Sequence, residues 1–168
     1  QNLDKIVTNL SFLLRWEKQI MEKKSINLYD FLNNYSKEFE SLAEKKNIKI
    51  IIEKKYDLVI ENNSYYLERL FWNIISNSIQ YNNWNNDIKI RIEKDSVVIK
   101  DKWIWINKDE EKSIFNRFYR NNNSQIYNDN GNWLWLTIVK KICDNFWWEI
   151  KINSKKDFWT EFIIKIKK

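Results

Sequence analysis

Histidine and proline do not occur in this chain of 168 residues, and glycine, alanine, cysteine and methionine occur once each. Each scarcity excludes something. Without histidine there is no imidazole to serve as general base, phosphoryl acceptor or metal ligand within these residues. The single thiol, Cys143, cannot build an internal disulfide framework, and one Cys without His makes no zinc or iron–sulfur site. No apolar run approaches the roughly 18 residues that a membrane-spanning helix needs, and no signal-peptide pattern opens the chain. The first residue is Gln1 rather than Met, so the sequence is read as a piece of a longer polypeptide.

What is present describes a folded chain. Hydrophobic residues make up 43% and charged residues 31%, which fits one globular domain with a short extension. The net charge of +6 is carried by 24 Lys against 5 Arg. Lys, Asn and Ile dominate while Ala, Gly and Pro are scarce, the signature of AT-rich coding. The lysines are scattered and no recognition motif accompanies them, so no nucleic-acid partner is expected. Ten Trp against one Gly is the anomaly. Average glycine content is about 7%, and a compact domain needs several residues at positive φ, where glycine is the default.

Residues 2–24 carry Ile6, Leu10, Leu13 and Leu14 at helical spacing, an apolar stripe that needs a partner helix. Residues 25–28 read as a linker or short edge strand. Residues 29–46 read as one helix with Phe31, Leu32, Tyr35, Phe39 and Leu42 on one face. Strands are expected at 48–53 and 58–61. Asn62-Asn63-Ser64 supplies a turn and an N-cap for a helix over 67–81. Two further strands, 88–93 and 97–101, flank a turn at Lys94-Asp95. A short helix is expected at 109–115, a polar loop at 121–132, a helix at 134–145, and closing strands at 149–153 and 161–167. Helices and strands do not alternate strictly, which points to an α+β sandwich.

Four segments hold candidate chemistry. Asn73 and Asn77 stand one turn apart on a helix, either paired ligands or solvated amides. Asp101 ends a strand, placed to accept a hydrogen bond from a ligand amine or simply to make a turn. Arg117 and Arg120 sit among aromatics, able to reach a phosphate or to cover apolar surface. Gly131 and the following residues run into a helix N-terminus, whose free N–H groups and positive dipole end suit an anion.

In this order and spacing the four resemble the ATP-binding domain of bacterial sensor histidine kinases, within the GHKL ATPase superfamily. NIISNSIQY (residues 73–81) resembles the N box, DKWIWI (101–106) the first glycine box, IFNRFYR (114–120) the F box, and GNWLWLTIVKKI (131–142) the second glycine box. FWWEIKINS and FWTEF resemble the closing strands. The resemblance covers about residues 27–168, and the opening helix resembles the second helix of the family's dimerisation hairpin. It implies a two-layer α/β sandwich of the Bergerat (GHKL) type, with a mixed sheet on about three helices. Residues 1–24 would be the hairpin helix and 25–168 the catalytic ATP-binding domain.

The resemblance also implies roles. Asn77 would hold Mg2+ and Asn73 would assist on the phosphate side. Asp101 would accept the adenine amino group, with Thr160 assisting at that end. Gln80, where the family usually has Lys, and Tyr81 would complete the N box. Positions Trp103, Trp105 and Ile106 would pass close to the base. Phe115, Arg117, Phe118 and Arg120 would line the lid, and Gly131, Trp133, Leu134, Trp135 and Leu136 would meet the phosphates. The cofactors are then ATP and Mg2+. The reaction is transfer of the γ-phosphoryl group to a His outside this chain, and onward to an Asp of a response-regulator receiver domain. No residue here is the phosphoacceptor. The implied assembly is a homodimer through the hairpin helices, cytoplasmic, in a parent protein associated with the inner membrane. Two other readings are an anti-sigma-factor-type serine kinase and a non-catalytic GHKL-fold interaction domain.

One departure from the family is systematic. Trp103, Trp105, Trp133, Trp135, Trp148 and Trp159 stand at family glycines, and Trp72, Trp84 and Trp147 stand where glycine is plausible. Some bacterial lineages read UGA as glycine, and an AT-rich gene of that kind decoded with another table would carry Trp at these places. If the indoles are real, they block the approach of backbone to nucleotide and leave an inactive ATPase.

Overall fold

The computed structural model describes Ser11 and residues 22–82, 86–102, 113–115, 134–155 and 158–167. The chain enters through β1 (Lys24–Asn27), then α1 (Leu28–Tyr35), a 3₁₀ turn (Ser36–Phe39) and α2 (Glu40–Glu44). β2 (Ile50–Lys54) and β3 (Val59–Asn62) lead to the long helix α3 (Ser64–Tyr81). β4 (Ile88–Ile92) and β5 (Ser96–Asp101) follow. After a 3₁₀ turn at Ser113–Phe115 come α4 (Leu134–Asn145), β6 (Glu149–Lys155) and β7 (Trp159–Lys165). The hairpin helix expected over 2–24 lies outside the described residues apart from Ser11 and its last three positions, of which Lys24 already opens β1.

Five strands form a mixed sheet in the order β2-β4-β5-β7-β6, with β2 parallel to β4 and every other pair antiparallel. β1 and β3 form a separate two-stranded antiparallel ribbon. The strand alternation of period two decides which face is covered. Ile88, Ile90, Ile92, Val97, Ile99, Ile152, Phe162 and Ile164 are buried on one face. The other face carries Arg91, Lys100, Glu161 and Lys151, with Arg91 Nη2 3.5 Å from Glu161 Oε1. The buried face packs in one cluster with the apolar stripes of α3 (Leu67, Leu70, Phe71, Ile74, Ile75) and α4 (Leu136, Ile138, Val139, Ile142). Each such side chain contributes about 1.5–3 kcal/mol by leaving water, so this interface dominates the stability of the sandwich.

α3 starts where Asn63 caps it, its Oδ1 accepting from the Tyr65 N–H at 2.9 Å. The same amide donates through Nδ2 to the Glu22 carbonyl at 2.9 Å. The helix begins three residues before the apolar periodicity does, because capping and not hydrophobic spacing fixes its first turn.

The single helix expected over 29–46 is two helices joined by a 3₁₀ turn. The Ser36 hydroxyl donates to the Asn33 carbonyl at 3.0 Å within that junction. Three residues per turn instead of 3.6 rotates the face by roughly 80° over four residues. Ala43 therefore faces the core at 3% exposure, and Leu42, expected inside, is 42% exposed.

Two helix ends use the same closing geometry. After α2, Ile48 N–H bonds to the Ala43 carbonyl and Asn47 N–H to Glu44, with Asn47 at φ 52°. After α4, Trp148 N–H bonds to Cys143 and Trp147 N–H to Asp144, with Trp147 at φ 59°. Both are Schellman motifs, whose left-handed residue is usually Gly and sometimes Asn. Asn47 is a normal occupant. Trp147 is not, and its indole is 82% exposed, so packing does not compensate for the strained backbone. Trp147→Gly is expected to raise the unfolding free energy by about 1–2 kcal/mol, read as a higher urea midpoint with unchanged slope.

Cys143 lies on the buried face of α4, and burial pushes its thiol up from 9.0 to about 12. A folded-state value above the unfolded one favours the protonated, folded form. That contribution is full below about pH 9 and is lost as pH rises toward 12, at no more than about 1.4 kcal/mol per pH unit. Alkylation of the native protein at pH 8 is expected to be negligible and to become fast in urea.

Candidate functional site

The connections bring one end of α3, one end of α4 and one end of the sheet together. α3 is capped at Asn82, whose Nδ2 donates to the Asn86 carbonyl at 2.6 Å just ahead of β4. β4 is antiparallel to β5, so the end of β5 lies beside the start of β4. β7 begins there and β6 ends there. α4 reaches β6 by the tight turn at Phe146 and Trp147, so its N-terminus returns to this same end.

On the sheet the register sets a polar row. Asp101 stands opposite Thr160, and Thr160 opposite Ser154. Directly opposed residues share a face, and this is the covered face, two residues beyond the apolar row Ile99, Phe162 and Ile152. Asp101 is 2% exposed and Thr160 is fully buried. The hydroxyls of Ser154 and Thr160 share a hydrogen bond at 3.2 Å. A carboxylate and two hydroxyls thus replace isoleucine and phenylalanine where the interior ends.

On the helical side, Asn73 is 5% exposed and donates through Nδ2 to the Arg69 carbonyl at 2.7 Å. Asn77, half-buried, donates through Nδ2 to the Asn73 carbonyl. Gln80 is exposed, and its backbone carbonyl accepts from Lys46 Nζ, which places a cation at the negative end of α3. Tyr81 is half-buried against the core.

α4 begins at Leu134, as the glycine-box pattern predicts, and Leu136 is fully buried. Thr137 Oγ1 donates to the Phe115 carbonyl at 3.3 Å, tying the start of α4 to the F-box segment, with Ile114 buried and Phe115 half-buried beside it. Trp135 is buried at 6% exposure, its ring 5.9 Å and edge-on to Phe162. An indole therefore lies between the layers, one step along β7 from Thr160. Trp148 is also buried, and Trp159 is half-buried on the outer face with the Lys100 ammonium 4.4 Å over its ring. Among the described tryptophans, only Trp147 has positive φ. At position 135 the difficulty is space, not backbone conformation.

Asn77, Asp101, Thr160, Trp135 and Leu136 thus stand on segments that lead to one end of the sandwich, with Asn73 one turn further back in the middle of α3. Trp103, Trp105, Ile106, Arg117, Phe118, Arg120, Gly131 and Trp133 lie outside the described residues. Sequence reasoning missed Ser154 and Thr137. Ser154 falls just past the strand expected at 149–153, and only the longer strand β6 and its pairing reveal it; Thr137 carries no signal of its own within the second glycine box.

The donor set fits a magnesium-nucleotide. Among the described residues no group of three His, Cys, Asp or Glu could hold a bare metal ion. A hard cation here would take a neutral amide oxygen from Asn77 and its remaining ligands from phosphate and water, as Mg2+ commonly does. Asp101 and the hydroxyl row suit a base edge, and the N-terminus of α4 suits phosphate. The Trp135 indole is the one described group that does not fit.

The chain is similar to several known proteins. The signal transduction histidine-protein kinase ArlS of Staphylococcus haemolyticus is 29% identical over 153 residues, 89% of this chain and 34% of its own length. The chain spans about a third of the length of the curated relatives it matches. Full-length ShkA in complex with AMPPNP superposes with a TM-score of 0.80 at 16% identity, over 98% of this chain and 35% of that one. Histidine kinase ThkA, solved in complex with the response regulator protein TrrA, gives 0.74 at 21% identity, over 98% of this chain and 48% of that one. These likenesses confirm the α+β fold with its mixed sheet. Residues 62–168 match the family model described as histidine kinase-, DNA gyrase B-, and HSP90-like ATPase, and the chain belongs to that family.

Proposed function

We propose that this chain is the ATP-binding catalytic portion of a two-component sensor histidine kinase. The observation that carries the reading is the polar row Asp101, Thr160 and Ser154, set on the covered sheet face at the end to which the C-terminal turns of α3 and the α4 N-terminus lead. Asp101 would accept the exocyclic amino group of adenine, and the hydroxyls would order its neighbourhood. Asn77 Oδ1 would hold Mg2+, which when bound neutralises the phosphate charge. Asn73, turned onto its own helix, would keep Asn77 in place. The residues here bind and orient the nucleotide, and catalysis is mainly positioning and charge stabilisation. The acceptor His belongs to a hairpin to whose second helix the residues ahead of β1 contribute, and the phosphoryl group passes on to a response-regulator Asp. Dimerisation through that hairpin, a transferase role in a phosphorelay, and a cytoplasmic location in an inner-membrane-associated parent belong to the same proposal. Among the described residues no helix is long and apolar enough to cross a membrane.

We infer also that the tryptophans at glycine-box positions are UGA codons read as glycine in the host. Two structural findings support this from different physics. Trp147 occupies a left-handed helix-closing position without packing, and Trp135 fills space between the layers against Phe162. The gene is expected to carry UGA at these codons, and UGG there would overturn the inference. If the indoles are retained in the cell, Trp135 favours the second reading, an interaction domain with a blocked site.

Calorimetric titration with MgATP tests both. The chain with Gly at 103, 105, 133, 135, 147, 148 and 159 is expected to bind. The chain with Trp at all seven is expected to bind at least about 100-fold more weakly, because displacing one buried indole costs ~3 kcal/mol or more. In the glycine form Asp101→Asn is expected to weaken ATP about tenfold. A glycine form without affinity for MgATP would rule out the kinase reading.

A further inference from the structure

The last three turns of α3 carry four small polar side chains, and three of them fold back on their own helix. Asn73 Nδ2 donates to the Arg69 carbonyl at 2.7 Å, the Ser76 hydroxyl to the Trp72 carbonyl at 2.6 Å, and Asn77 Nδ2 to the Asn73 carbonyl. Ser78 does not follow them. It is 2% exposed, and its Oγ has no hydrogen-bond partner among the described residues, although the Ile74 carbonyl stands one turn before it. A serine in a helix interior normally bonds that carbonyl or faces water. Leaving a buried hydroxyl unpaired is costly, and alanine at the same place would avoid the cost without losing a contact.

The position of this hydroxyl gives it a use. Ser78 follows Asn77 and shares the buried stripe of α3 with Ile74 and Ile75, which pack in one cluster with the covered face of the sheet. It lies one turn from the end of α3, the end that leads into β4. That is the end of the sandwich where Asp101, Thr160 and Ser154 line the sheet face. Asp101 and Thr160 face the interior from the sheet, and Ser78 faces it from the helices.

We propose that Ser78 is a specificity-determining residue of the base pocket. Its hydroxyl donates to the acceptor ring nitrogen beside the amino group that Asp101 accepts, or to a water held against that nitrogen. The pair then reads the donor–acceptor edge of adenine from both layers, and a base with the reverse pattern sets a carbonyl against the Asp101 carboxylate. This inference rests on the nucleotide-binding reading above.

The test uses the full chain in its glycine form, its Ser78→Ala variant, and two probes, MgATP and the 1-deaza analogue of ATP, in which the ring nitrogen is replaced by C–H. Ser78→Ala is expected to weaken MgATP about tenfold and to leave the affinity for the 1-deaza analogue unchanged. The urea midpoint of the nucleotide-free variant is expected to be equal to or above that of the parent, since a hydroxyl serving only the fold would lower it. Equal MgATP affinity in the two proteins overturns the role of Ser78 while leaving the nucleotide reading intact. An equal loss with both probes, or a lower midpoint with unchanged binding, assigns the hydroxyl to packing and overturns it as well. Failure of the parent itself to bind MgATP removes the nucleotide reading and this inference together.

Discussion

The register of β5, β7 and β6 is the constraint on which the candidate site depends. A slip of one residue in either pairing would turn Asp101, Thr160 or Ser154 to the charged outer face and bring Lys100, Glu161 or Asn153 into the interior. The register is held by the apolar rows behind the polar one, Ile99 with Phe162 and Ile152, and Val97 with Ile164 and Ile150. The core therefore does more than stabilise the sandwich. It fixes, to within one strand step, which three polar groups terminate it. The helical layer answers with its own fixed spacing, since Asn73 and Asn77 stand one turn apart on a helix whose apolar stripe is locked to the same core.

Much of the fold was legible because its signals are local. Period-two alternation marked β4 and β5 to within a residue, and α4 was bounded without error at Leu134 and Asn145. α3 was legible through Asn63 as a cap, though its apolar periodicity began three residues late. Misreadings arose where two helical geometries meet. The stripe through Phe31, Tyr35 and Phe39 looks continuous in sequence, yet the 3₁₀ turn at Ser36–Phe39 changes its phase and sends Leu42 outward. No composition rule announces that change, because the i, i+4 spacing of these three residues reads as one unbroken α-helix.

The site was legible in its residue types and spacings, and only the structure supplies its shape. Asn73, Asn77 and Asp101 could be chosen from the sequence. Ser154 could not, because its place depends on cross-strand pairing with Thr160. The tryptophans divide in a way the sequence alone does not show. Trp159 lies on the outer face beneath a lysine, Trp135 is packed between the layers, and Trp147 is held in a left-handed conformation with its ring in water. Glycine is thus wanted for different reasons at different places, for volume at 135 and for torsion at 147.

Asn63 joins two parts of the molecule through one planar group. Its oxygen closes the first turn of α3 and its nitrogen grips the carbonyl of Glu22, where the chain enters the domain. A rigid amide cannot swivel to keep one of these bonds without surrendering the other. A displacement of the chain at Glu22 therefore loads the first turn of α3 directly, at the root of the helix that bears Asn73 and Asn77.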